Sequence, residues 1–218
     1  MMKGLLIKDF KLMKAQKNFF LVIIAISVFM SVTYSDSSFA IGFLGFVGSL
    51  FTLSSISYDE FDNGNAFLFC LPITRKSYVL EKYSFGLLVG GASWLFGTTI
   101  NLFASLLKNT ATPTELLMTA LLVLPTILLL LSIMLPFQLK FGGEKGRIAI
   151  IGAVGLLGVL GVVVVKVADL LNIDLIALFN NLPTLSMGMV VAIAILASFL
   201  LMLISIRISI AVMNKKEF

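Results

Sequence analysis

The residues with chemistry to offer are few and gathered. Asp59, Glu60, Arg75, Lys76, Glu81 and Lys82 share one polar stretch, 58–83, with Cys70 inside it. Carboxylates and ammoniums at these spacings make ion pairs or grip a partner. Acid–base catalysis near neutral pH most often uses histidine, and the chain has none. The other carboxylates that flank apolar runs, Glu115, Glu144, Asp169 and Asp174, sit at or beyond the ends of those runs. Proton- and sodium-coupled transporters carry an ionisable group near the bilayer midplane; here only neutral candidates such as Asn101 are offered. No Ser/Lys or Asp/Asp arrangement within the apolar runs points to an intramembrane protease. The dipeptide Gly-Lys never occurs, so there is no phosphate-cradling loop, and the chain is expected to hydrolyse no ATP and to hold no cofactor or metal. One cysteine forms no internal disulfide, and Cys70 is expected to be reduced and at least half-buried.

The elements that must position these residues are membrane helices. Hydrophobic residues are 59% of the chain and charged ones 12%, against roughly 25% charged in soluble domains. A chain of 218 residues has too little interior to hide that much apolar surface from water. Runs of about 20 apolar residues cross the hydrocarbon core, and six are predicted: 19–34, 39–57, 83–107, 116–139, 148–165 and 187–206. The fold class expected is an all-α membrane domain covering 1–218. The segment 169–186, interrupted by Asp169, Asp174 and Pro183, reads as an interfacial helix and turn.

Charge sets the orientation. With the N-terminus inside, the inner side holds Lys3, Lys8, Lys11, Lys14, Lys17, Arg75, Lys76, Lys82, Lys140, Lys145, Arg147, Arg207, Lys215 and Lys216, and the outer side only Lys108 and Lys166. That asymmetry predicts cytoplasmic termini and a cytoplasmic 58–82 loop. The basic residues are scattered over span ends, which argues against nucleic acid. A basic stretch before a short apolar run is also how a signal peptide starts, but no small-residue cleavage site follows. Residues 2–17 show helical periodicity, with Met2, Leu6, Phe10 and Met13 on one side and Lys8, Lys11 and Lys14 opposite. That pattern suits a helix lying among anionic headgroups, or a plain basic flank of the first span. Within the loop a short helix is predicted over 72–82. Pro72 suits its first turn, and Arg75, Lys76, Glu81 and Lys82 would keep it wet.

Glycines recur at close spacing within the spans: Gly42, Gly45 and Gly48; Gly86 and Gly90; Gly152, Gly155 and Gly158. Small residues let helices approach closely in lipid, so these positions are expected to pack helices, or to let them slide. Pro125 and Pro136 are expected to bend the fourth span.

Several segments together resemble the ABC-2 type transporter permeases, and more closely their compact six-span branch from Gram-positive bacteria. They are Lys3-Gly-Leu-Leu-Ile-Lys-Asp9, Ser57-Tyr-Asp-Glu60, Leu71-Pro-Ile-Thr-Arg-Lys-Ser-Tyr78 with Lys82-Tyr83, and Leu135-Pro-Phe-Gln-Leu-Lys-Phe-Gly-Gly-Glu-Lys-Gly-Arg147. The resemblance implies the membrane subunit of an ATP-driven exporter in the bacterial cell membrane. It would pair with a second permease subunit, identical or different, and with separate ATPase subunits that carry the ATP and magnesium. Cargo in such systems runs from drugs to antimicrobial peptides. Carried over by position, the ATPase would be met by Lys3, Asp9 and Phe10 of the N-terminal helix and by Leu71, Pro72, Ile73, Thr74, Arg75, Lys76 and Tyr78 of the loop. Two readings from other classes stand beside this one: a scaffold or sensor subunit without cargo, and a small secondary transporter.

Overall fold

Long apolar runs without strand-like alternation become helices because lipid offers no partner to unpaired backbone groups. The computed structural model describes residues 2–34, 38–61, 64–108, 112–143, 145–146, 148, 151–152, 162, 166 and 186–216. Among these are seven helices and no strand: α1 (Met2–Ala15), α2 (Lys17–Thr33), α3 (Ser38–Glu60), α4 (Gly64–Cys70), α5 (Arg75–Lys108), α6 (Pro113–Phe141) and α7 (Met187–Lys215).

Four of them, α3, α5, α6 and α7, are long and apolar enough to cross a membrane. The pair α1 and α2, bent by 67°, makes a fifth if counted as one span. The described residues therefore carry four or five of the six spans expected. The predicted span 148–165, apart from a few positions, lies outside them, as do Gly155, Gly158 and all but the last residue of 169–186. The bend falls at Gln16, whose side-chain amide donates to the Tyr58 hydroxyl at 2.7 Å and ties the elbow to the end of α3.

The third span begins earlier than its hydropathy indicates. At about 1.5 Å per residue, the 34 residues of α5 reach about 51 Å, well beyond the roughly 30 Å hydrocarbon core. The separate helix expected over 72–82 is instead the first turns of α5. Pro72 stands in the turn before it, and Thr74 accepts from the Ser77 amide at 3.1 Å as an N-cap does. The short free-standing helix in the loop is α4, upstream of that turn. Cys70, at its end, is exposed, which corrects the burial expected for it. At the start of α6, Thr112 and Glu115 form a capping box ahead of Pro113, and the helix continues through Pro125 and Pro136 to Phe141.

Packing centres on α3 against α5 and on α6 against α7. One core joins Ile56, Tyr83, Leu131, Leu135, Leu139 and Met213. The α3–α5 seam is made of small residues. A Cβ at Gly48 would overlap the Ser93 side chain, one at Gly90 would come within 2.7 Å of Ser49 Oγ, and one at Gly86 within 2.7 Å of Leu131 Cδ2. Gly45 is similarly pressed by Ile127 from α6, at 2.8 Å. Gly42 and Gly152 differ, since a Cβ there meets nothing within 4 Å. The Tyr83 hydroxyl meets Ser205 at 2.5 Å and Ser209 at 2.9 Å, fixing α7 to α5.

The two ends of the bundle are unlike. At one, Lys108 donates to the Ser31 and Tyr34 carbonyls at 2.8 and 2.9 Å, holding the end of α5 to the end of α2. At the other, α1, the last turns of α3, the start of α5 and the ends of α6 and α7 converge, and they carry most of the basic residues described.

Candidate coupling site

The convergence at the basic end has a buried ionic centre. Leu5 and Asp9, four residues apart on α1, are its inward face, and both are buried. Ser55 and Asp59 have the same spacing on α3, and Tyr78 and Lys82 on α5. These three pairs meet. The Lys82 ammonium, fully buried, donates to Asp9 Oδ2 at 2.5 Å and to Ser55 Oγ at 2.6 Å, and lies 2.8 Å from Asp59 Oδ2. An ammonium has three donors, and here each has an oxygen. Ser55 donates onward to Asp9 Oδ2 at 2.7 Å, and the Tyr78 hydroxyl to Asp59 Oδ2 at 3.1 Å. From the rim, Lys8 pairs with Asp59 and stands 3.2 Å from Asp9 Oδ1.

Glu81 is the odd member. It is fully buried and 3.6 Å from the Lys82 ammonium. Among the described residues, Asp9, Asp59 and Glu81 face the ammoniums of Lys8 and Lys82, one carboxyl more than the cations. A buried carboxyl in excess of its cations is held as the neutral acid, and Glu81 can donate its proton to the neighbouring Asp9 carboxylate. Among the described residues no group of three His, Cys, Asp or Glu is placed to hold a metal; the Lys82 ammonium occupies the space between Asp9 and Asp59.

A second cluster closes the same end. Arg75 donates to the Met213 and Asn214 carbonyls at 2.9 and 2.7 Å, a cation on the last turn of α7. Lys216 reaches Glu60 at 2.9 Å and the Leu139 carbonyl at 3.1 Å. Glu60 also accepts from the Gly143 amide at 2.7 Å, beside Gly142, whose φ of 81° is a conformation that favours glycine.

The residues expected to meet a partner divide accordingly. Lys3, Leu71, Pro72, Thr74 and Lys76 are exposed, and Ile73 and Arg75 are half-buried, Ile73 against the main core and Arg75 on α7. Phe10 is exposed but has its ring edge-on to Phe85, centroids 5.3 Å apart. Asp9 and Tyr78 are fully buried, so within this subunit they face inward. Glu81 and Lys82, read as wet, are buried too, because α1 folds back over the start of α5 and excludes water. On α1, Leu5 and Asp9 point in and Leu6 and Met13 pack against the cluster of Phe51, Phe85 and Val89, while Met2 and Phe10 remain exposed. The centre itself was not foreseen. Its partial signal was the four-residue spacing of polar and charged residues in Ser55/Asp59 and Tyr78/Lys82, with one acid, Asp9, among five N-terminal lysines.

No curated protein and no solved structure matches the chain. A family model does: the one described as ABC-2 family transporter protein matches residues 4–214. Over nearly its whole length this helical chain, with several helices apolar enough to cross a membrane, belongs to the ABC-2 family of transporter proteins.

Proposed function

We propose that the chain is the permease subunit of an ATP-driven exporter, working beside a second permease subunit in the bacterial cell membrane with both termini cytoplasmic. The family consists of membrane subunits that work with a separate ATPase, and ATP and magnesium would reside there. The partner surface is formed by Lys3, Phe10, Leu71, Pro72, Ile73, Thr74, Arg75 and Lys76. Asp9 and Tyr78 stand behind that surface and fix its shape.

One observation carries this reading. The 71–74 turn leads without a break into α5, and α5 is pinned at Lys82 to both α1 and α3. A push on the turn would move α1, α3 and the start of α5 as one block, and the block would bear on the glycine seam deeper in the bundle. The spans offer few charges, which favours amphipathic or apolar cargo such as a peptide toxin, an antimicrobial peptide or a drug, leaving from the cytosol or inner leaflet.

The test uses Leu71→Ala with Lys76→Ala, both exposed, so that folding is spared. Expression and thermal stability are expected to stay at the parent level, while co-purification of the ATPase or ATP-dependent transport falls. Unchanged assembly and transport would refute the contact.

A further inference from the structure

We infer that the cavity between α1, α2, α3 and α5 is a binding site for one anionic phospholipid, its phosphate on Lys14 and Lys17 and an acyl chain in the apolar interior. The cavity has a volume of about 690 Å³, within the roughly 300–1,000 Å³ usual for ligand sites. Lys14 and Lys17 stand on either side of the Gln16 elbow, both exposed. From them the wall runs inward past Phe20 and Ile24 of α2 to Leu44 of α3 and Phe96 of α5.

The occupant follows from charge and depth. Two lysines line the cavity at the elbow and, among the described residues, no carboxylate does, so the ligand carries negative charge there. The remaining lining is almost wholly apolar, with Ser93 its one hydroxyl. From Lys17 to Ile24 the helix covers about 10 Å, most of one leaflet's roughly 15 Å share of the hydrocarbon core. A headgroup at the elbow and a chain along α2 fill that shape, and basic pockets between membrane helices hold anionic headgroups in this way. Assignment to the inner leaflet rests on the cytoplasmic N-terminus; the site itself does not depend on transport, and its test needs no nucleotide.

The full chain is purified in mild detergent and titrated with phosphatidylglycerol or phosphatidylcholine, and retained lipid is read by native mass spectrometry. One phosphatidylglycerol per chain is expected to be held in preference to phosphatidylcholine. Lys14→Gln with Lys17→Gln is expected to weaken retention roughly thirtyfold, with the melting temperature of the lipid-free protein unchanged. Ala92→Trp, which fills the cavity from its wall, is expected to abolish retention while both lysines remain. Equal retention of the two lipids, or undiminished retention in either variant, overturns the proposal. So does efficient cross-linking of Leu21→Cys to a second copy in phosphatidylglycerol-rich membranes, since the groove would then be a subunit interface.

Discussion

The basic end of the bundle and the seam just beyond it are built on opposite plans. At the basic end, α1, α3 and α5 are joined by Asp9, Asp59 and Lys82, charged groups with directed partners at 2.5 and 2.8 Å. One turn further along α5 the same two long helices meet through Gly48, Ser49, Thr52, Gly86, Gly90 and Ser93, with no charge at all. A buried ion pair has one good geometry and a steep cost for leaving it. Small residues in lipid gain from close approach alone, without directed charge. The comparison places stiffness at the basic end and close, charge-free contact at the seam beyond it.

The largest break is expected at Lys82. Lys82→Met keeps the length of the side chain but leaves Asp9 and Asp59 buried and facing each other, and stability should fall by about 3–5 kcal/mol, read by denaturation in detergent. A loss of less than about 1 kcal/mol would mean that water reaches the centre. At the seam, Gly90→Val forces a side chain against Ser49 and Ile127 and should cost about 1–3 kcal/mol. Any transport defect it causes should leave ATPase co-purification intact, which separates the two regions. Glu81→Gln should do less. It preserves shape and keeps a hydrogen-bond donor beside Asp9, and should leave stability within about 1 kcal/mol, seen as a nearly unchanged Tm. A larger fall in Tm would show that an ionised carboxylate is needed at this position. Smallest of all, Lys76→Gln on the exposed turn should leave stability within about 0.5 kcal/mol.

Much of the helical layout was readable because it follows from composition and run length. The apolar runs from 39, 116 and 187 each lie within one continuous helix, α3, α6 and α7. The N-terminus of α5 was misread because hydropathy registers Arg75, Lys76, Glu81 and Lys82 as water-loving, whereas burial depends on what folds over them. That is a property of α1, 73 residues away from Lys82 at Asp9. Pro72 drew the helix start three residues too early, since a proline suits both a first turn and the turn before a cap, and Thr74 decides between them. Among the glycines, spacing alone could not separate Gly45 and Gly48, which face neighbours, from Gly42, which faces open space.

The account's central claim is that α1 is locked to α5 through Asp9 and Lys82, so that the basic end moves as a unit. A double-mutant cycle on that pair tests it most directly, with Asp9→Asn, Lys82→Met and their combination measured by unfolding in detergent. The claim predicts that the double variant is no less stable than the worse single variant, with a coupling of about 2 kcal/mol or more. Losses that simply add, with coupling below about 0.5 kcal/mol, would contradict it.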